Sequence, residues 1–146
     1  MPKFKFYTNN KQQSSSKFTI LALFVLFLDQ TVKIFAVSEI ANVEFSKNSG
    51  ALFGIQLNAN FIFIFFAAFL FFAIFSFKKT KLLKNDAIAA MSFFLIFAGI
   101  ISNLIDRILY GYIIDYINLF NLFSFNIADL AICFGVLILS WKIFTK

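Results

Sequence analysis

The sequence predicts an all-α membrane protein built as a bundle of four transmembrane helices. Composition is the first observation, because 61% of the 146 residues are hydrophobic and only 14% are charged, whereas soluble domains carry about 25% charged residues. The second is the presence of four apolar runs close to the roughly 20 residues that a helix needs to cross a bilayer. In lipid these runs must be helical, because an open strand would leave its backbone groups unpaired.

The predicted spans account for most of the chain. They are Phe18 to Val37, Phe61 to Phe77, Ala87 to about Ile105, and Ile127 to Phe144. The first has basic residues before it, as a signal peptide does, but no small-x-small cleavage site follows, so we expect a retained helix. Residues 1–16 are expected to be a cytoplasmic polar tail, and residues 17–146 a single four-span domain.

Basic residues predict the orientation of the spans. The net charge is +6, and lysines cluster before the first span, between residues 78 and 84, and at the C-terminus. They form no contiguous basic face, so nucleic acid is not an expected partner. The positive-inside rule places both termini in the cytoplasm and the connections Ser38 to Asn60 and Asp106 to Asn126 outside. Within these connections, Val43 to Phe45 and Tyr112 to Ile117 predict short extended segments.

The residue types limit the possible chemistry. The chain contains no histidine, which excludes a Ser-His-Asp triad, a Cys-His pair and a histidine zinc site. We therefore expect no metal and no cofactor, and any acid–base catalysis must use carboxylates. The single Cys133 lies in an apolar run, and we expect it to be a small core residue.

Asp115 and Asp129 form the candidate catalytic pair. In the predicted topology both lie near the outer interface, where two neighbouring carboxylates would share one proton. Such a pair supplies a general acid and a general base for peptide hydrolysis without a covalent intermediate. The alternative is that each aspartate caps a helix or pairs with Arg107, although Asn126 is better placed than Asp129 to be an N-cap.

Two further charged pairs lie in or beside the spans. Asp29 and Lys33 are spaced i, i+4, so we expect a structural ion pair in which the lysine stem extends outward. Asp106 and Arg107 are adjacent and point about 100° apart on a helix, so we expect them to bind different neighbours. Arg107 could hold a carboxylate or a backbone carbonyl through its fork of donors.

Three sequence blocks resemble the motifs of the lipoprotein signal peptidases (signal peptidase II). The blocks are Asn48 to Gly54, Gly99 to Arg107 continuing through Gly111 to Ile117, and Phe125 to Asp129. The Asp29-x-x-x-Lys33 pair in the first span also resembles a pair found in that family. Order and spacing agree over residues 18 to about 144.

The resemblance implies an aspartic endopeptidase of the bacterial cytoplasmic (inner) membrane. It would remove signal peptides from diacylglyceryl-modified prolipoproteins by cutting before the lipidated cysteine, and its four-helix fold would carry a small extracytoplasmic β-cradle. Asp115 and Asp129 fall on the catalytic positions of the family. The positions that bind substrate or support the site are Asn48, Gly50, Asn103, Asp106, Arg107, Asn126 and Ala128.

Three positions depart from the family pattern. Ala98 and Ser102 stand where glycine is usual, and Leu52 stands where a small residue is common. These changes affect helix packing and pocket shape more than the acids. Membrane lipids are expected around the bundle, and a single bundle with its own cleft needs no second subunit, so we expect a monomer.

Two other functions fit the composition. A transporter or proton-conducting protein would use Asp29, Lys33 and Asp129 as a relay, but a relay needs acids along the span and these gather at one face. A structural or assembly protein would only bind other helices, and it would tolerate Asp→Asn changes at both candidate positions.

Overall fold

The computed structural model describes residues 9–38, 44–49, 86–120 and 122–145. Within these residues it contains three helices, α1 (Asn9–Val37), α2 (Ala87–Tyr110) and α3 (Ile127–Phe144). The predicted span from Phe61 to Phe77 lies outside the described residues, so the count of four helices stays a prediction. Because α1 begins at Asn9, residues 9–16 of the predicted tail are helical and continuous with the first span.

Two of these helices are long and apolar enough to cross a membrane. The qualifying segments are Ser16–Val37, with 22 residues, and Ala87–Tyr110, with 24 residues. Large apolar side chains cover the outward faces of the helices, including Phe24, Phe27 and Ile34 on α1 and Phe134 and Leu137 on α3. Apolar faces of this extent are typical of surfaces that contact lipid.

Cys133 lies on the outward face of α3 and is exposed. The expectation that it is a core residue is therefore wrong. It shares its side of the helix with Phe134 and Leu137, which are also exposed. An almost uniformly apolar helix carries no amphipathic signal that would show from sequence which face is buried.

Capping groups define both ends of α2. Asp86 precedes the helix, and its Oδ1 accepts hydrogen bonds from the N–H groups of Ile88 at 2.9 Å and Ala89 at 3.2 Å. The helix ends at Tyr110, and the C-cap Gly111 has a left-handed φ of 80° and donates its N–H to the Arg107 carbonyl. Lys142 Nζ lies 3.2 Å from Asp86 Oδ2, so the end of α3 contacts the start of α2 and the two helices are antiparallel.

Small residues allow α2 and α3 to approach closely. A Cβ added to Gly99 of α2 would overlap the carbonyl oxygen of Ala128, and one added to Gly135 of α3 would lie 2.6 Å from Ile96 Cγ1. Such small-residue contacts are the usual way in which helices pack in lipid. α2 also packs against α1 and is therefore the central described helix.

Two small antiparallel sheets lie where α2 ends and α3 begins. Strand β1 (Ser46–Asn48) pairs with β2 (Ile113–Asp115), and β3 (Ile117–Leu119) pairs with β4 (Phe123–Phe125). Extended structure predicted over residues 112–117 is present as β2 and the first residue of β3. In the other predicted segment, Val43 lies outside the described residues and residues 44–45 precede β1, and β4 was not predicted. These strands bring residues from three parts of the chain to one end of the helices.

Candidate functional site

Asp115 is the last residue of β2 and is only 2% exposed. Its Oδ1 accepts a hydrogen bond from Asn126 Nδ2 at 2.8 Å, and its Oδ2 accepts one from Asn48 Nδ2 at 3.0 Å. Burial raises the pKa of Asp115 to about 6, and the nearby charge of Asp129 acts in the same direction, while the two amide donors oppose them. This carboxyl group can therefore hold or release a proton near neutral pH.

Asp129 lies in the first turn of α3. Its Oδ1 accepts a hydrogen bond from Asn103 Nδ2 at 2.7 Å, and its Oδ2 accepts one from the Asn126 backbone N–H at 3.3 Å. In return, Asn126 Oδ1 accepts a bond from the Asp129 backbone N–H at 2.8 Å, which completes a capping box. The N-cap is thus Asn126, as expected, and Asp129 also takes part in the cap as its partner.

Asn126 contacts both candidate acids. Its fully buried side chain donates to the Asp115 carboxylate. The Asn126 backbone N–H donates to the Asp129 carboxylate, and the Asn126 side-chain oxygen accepts the Asp129 backbone N–H. The two aspartates come from different segments, the end of β2 and the start of α3. One asparagine therefore brings them together beside the sheets.

Lys33 forms the predicted contact with Asp29 but does not extend outward. Its Nζ lies 2.7 Å from Asp29 Oδ2, 2.7 Å from Asp106 Oδ2 and 2.9 Å from Asn103 Oδ1. Lys33 is 1% exposed and both aspartates are fully buried. The expectation of an outward lysine stem is wrong because three acceptors surround the ammonium group inside the protein, which satisfies all its donors.

The carboxylates paired with Lys33 also bind the backbone beside the candidate acids. Asp106 Oδ2 accepts the N–H of Ile114 at 3.1 Å, the residue before Asp115. Asp29 Oδ1 accepts the N–H of Ala128 at 3.1 Å, the residue before Asp129. These contacts connect the buried ion cluster of α1 and α2 to the positions of both acids.

Tyr116, the residue after Asp115, also connects the ion cluster to the start of α3. Its hydroxyl donates to Asp29 Oδ1 at 2.7 Å and accepts the Ile127 N–H at 3.1 Å. Burial and the contact with Asp29 raise the pKa of Tyr116 well above its ordinary value, so the phenol remains a donor. Tyr116 received no role in the sequence analysis; its position next to Asp115 was the available signal.

Ser102 and Gln30 are further polar members of this cluster. Ser102 Oγ donates to Asp29 Oδ2 at 2.6 Å. Gln30 Nε2 lies 2.9 Å from Ser102 Oγ, 3.0 Å from the Ser102 carbonyl oxygen and 3.0 Å from Asp106 Oδ1. In the sequence Ser102 was distinctive only as a departure from a family pattern, and Gln30 was not predicted to have a role, although it is a polar side chain inside an apolar span.

Of the remaining predicted site residues, the structure describes some and not others. Arg107 is half-buried and interacts electrostatically with Asp115 and Asp106, and Ala128 is fully buried. Gly50 and Leu52 lie outside the described residues. In the part of the chain that the structure describes, no group of three or more Asp, Glu or Cys side chains could hold a metal ion.

Solved structures of similar shape come from bacterial membrane enzymes. One, determined by the in meso method at 2.3 Å resolution, is 26% identical with a TM-score of 0.78, over 89% of this chain and 88% of the other. Another, determined at 1.9 Å resolution, is also 26% identical, with a TM-score of 0.74 over 88% and 92% of the two chains. Together with the apolar helices, this similarity indicates a bacterial membrane protein.

Sequence comparison gives the family. The family model described as signal peptidase (SPase) II matches residues 21–145. Proteins called lipoprotein signal peptidase in Moorella thermoacetica and Geobacter metallireducens are each 32% identical to this chain. The first match covers 86% of this chain and 91% of the relative, and the second covers 84% and 87%. The chain therefore belongs to the signal peptidase II family, which confirms the resemblance seen in its sequence blocks and makes it a peptidase.

Proposed function

We propose that this protein is an aspartic endopeptidase that removes signal peptides from diacylglyceryl-modified prolipoproteins by cutting before the lipidated cysteine. Its catalytic groups are Asp115 and Asp129. The observation that carries the proposal is the pair of contacts through which one buried asparagine, Asn126, binds both acids. Membership of the signal peptidase II family supplies the substrate class.

The two acids supply a base and an acid for one hydrolytic step. The ionised carboxylate takes a proton from water, and the oxygen of that water forms a bond to the scissile carbonyl carbon. The protonated carboxyl donates its proton to the carbonyl oxygen. When the tetrahedral intermediate collapses, the carbon–nitrogen bond breaks and the carboxyl that took the proton from water donates it to the departing amine. The other carboxylate takes a proton from a hydroxyl of the intermediate, which forms the new carbonyl and restores both acids. The products are a signal peptide with a new carboxylate and a lipoprotein with a free cysteine amine.

The hydrogen bonds to the two acids are compatible with these proton transfers. Each of the four carboxylate oxygens of Asp115 and Asp129 accepts one hydrogen bond from an asparagine. A carboxylate oxygen has two lone pairs, so each of these contacts uses only one of them. The donors fix the orientation of the acids without occupying the positions that react.

The site also suits a substrate that is already in the bilayer. A signal peptide is an apolar helix, and the modified cysteine carries acyl chains, so both can approach between membrane helices. The acids lie at the start of α3 beside the strands, where a scissile bond would emerge from lipid. We place this end at the extracytoplasmic face of the inner membrane, with both termini in the cytoplasm, and the protein acts as a monomer with no metal.

The test is cleavage of a purified diacylated precursor by Asp115→Asn and Asp129→Asn variants. Each substitution removes a group that must ionise, so we expect cleavage to fall at least about 100-fold. Asp86→Asn is the matched control, because Asp86 caps the opposite end of α2, and it should cleave normally. Native rates in either dyad variant would exclude the proposed mechanism.

The same assay tests substrate class and metal use. A precursor without lipid should be cleaved poorly beside the diacylated one. EDTA should leave the rate unchanged, and inhibition that is reversed by added metal would contradict the carboxylate mechanism.

A further inference from the structure

We propose that the Ser102 hydroxyl, itself oriented by Gln30, is a positioning group for Asp115 and Asp129 that acts through the buried Asp29–Lys33–Asp106 cluster. This inference rests on the proposed function, because its main readout is the rate of peptide cleavage. It assigns a role to a side chain that touches neither acid and has no contact with solvent.

The charges of the cluster require neutral donors. Asp29 and Asp106 are both fully buried, and Lys33 is the cation that lies 2.7 Å from each. A buried carboxylate is strongly destabilised unless ion pairs and hydrogen bonds replace its water. One ammonium group shared by two carboxylates leaves part of this requirement unmet. Ser102 supplies a donor to Asp29, and Gln30 supplies one to Asp106.

The direction of these hydrogen bonds follows from the partners. The Ser102 carbonyl oxygen and Asp106 Oδ1 can only accept, so the Gln30 atom facing them must be the NH₂ group. The same NH₂ group donates to Ser102 Oγ. The serine proton is therefore directed at Asp29 Oδ2, 2.6 Å away, and the hydroxyl acts as a donor to the carboxylate.

Loss of this donor would redistribute the lysine contacts. Asp29 Oδ2 is bound by Ser102 and by Lys33. Without the hydroxyl, Lys33 would be drawn toward Asp29 and away from its other acceptors, Asp106 and Asn103. Asn103 donates directly to Asp129, and Asp106 holds the N–H beside Asp115. Loss of the Ser102 hydroxyl would therefore displace both Asp115 and Asp129, although it contacts neither.

The experiment compares Ser102→Ala with Ser92→Ala. Ser92 is also a fully buried serine of α2, but its hydroxyl donates to the Ile88 carbonyl of its own helix at 2.8 Å. Each variant loses one oxygen and the hydrogen bond that its hydroxyl donates, and Ser102→Ala also loses the bond that its oxygen accepts from Gln30. On the diacylated precursor we expect Ser102→Ala to lower kcat about 10-fold with little change in KM, and Ser92→Ala to keep the native kcat. Gln30→Met should lower kcat in the same direction, because it removes the group that orients the hydroxyl.

Equal kcat values for Ser102→Ala and the native protein, or equal losses in both serine variants, would overturn the inference. If instead the native protein does not cleave, or Asp115→Asn cleaves normally, the proposed function itself fails. A stability cycle then still tests the contact without activity. Ser102→Ala and Asp29→Asn should be non-additive in thermal unfolding, whereas Ser92→Ala and Asp29→Asn should be additive; additivity in both pairs would contradict the hydrogen bond on which the inference depends.

Discussion

The ammonium group of Lys33 lies 2.9 Å from the side-chain oxygen of Asn103. An ammonium can only donate, so this contact turns the Asn103 amide with its NH₂ group toward Asp129, which it binds at 2.7 Å. A cation on α1 thus sets the hydrogen bond that an acid on α3 receives from α2.

Replacing Lys33 should cost more stability than replacing any exposed lysine. Lys33→Met would leave Asp29 and Asp106 buried without their shared cation, and we expect a loss of about 3–5 kcal/mol in unfolding free energy. Thermal unfolding in detergent measures it. Lys142→Met is the control, because its ion pair with Asp86 is partly exposed, and it should lose far less. Equal losses of unfolding free energy in the two variants would show that the buried cluster stabilises the protein no more than the partly exposed ion pair does.

Asn126 offers a way to separate capping from the contact with Asp115. Asn126→Asp keeps an excellent N-cap but replaces the amide donor with a carboxylate facing Asp115. We expect near-native helix content by circular dichroism and a fall in cleavage of about 100-fold, since a third acid would repel the pair. Asn126→Ala should lose both the cap and the activity. Substantial cleavage by Asn126→Asp would show that the donor is dispensable.

The titration of Asp115 should be visible near neutral pH. Its pKa is raised to about 6, first by burial, with a contribution from Asp129. In a carbon NMR titration of labelled aspartates, the resonance that disappears in Asp115→Asn should change through about pH 6, and Asp129→Asn should lower that midpoint by removing a nearby negative charge. A midpoint near the ordinary value of 3.8 would contradict the burial of this group.

The same shift has a consequence for stability. The folded protein holds the Asp115 proton more tightly than the unfolded chain does, so the stabilisation from this group is fully present below about pH 4 and is lost as the pH rises through about 6. Relative to the native protein, Asp115→Asn should therefore become more favourable for stability between about pH 4 and pH 7. Thermal unfolding across this range gives the comparison.

Gly99 and Gly111 should respond to alanine for different reasons. A Cβ at Gly99 would overlap the Ala128 carbonyl oxygen, so Gly99→Ala must separate α2 from α3 next to Asp129. We expect a loss of about 2–3 kcal/mol in stability and reduced cleavage. Gly111→Ala meets open space but keeps a φ of 80°, so it should cost about 1 kcal/mol with near-native cleavage. Thermal unfolding and the precursor assay distinguish them.

The sequence was sufficient to predict features that depend only on residues close together in the chain. Apolar runs predicted the helices α1, α2 and α3, because lipid requires a helical backbone. The i, i+4 spacing predicted the contact between Asp29 and Lys33, and residue type predicted Asn126 as the N-cap of α3. β-branched residues after α2 predicted extended structure there.

Side-chain direction was decided only by the tertiary structure. Lys33 points inward because Asp106 and Asn103, about 70 residues further along the chain, offer it acceptors. Gln30 gains a role only through Ser102 on the neighbouring helix. In a chain whose helices are apolar at most positions, hydrophobic periodicity alone does not mark the buried face, so the partners of each polar side chain depend on how the helices pack.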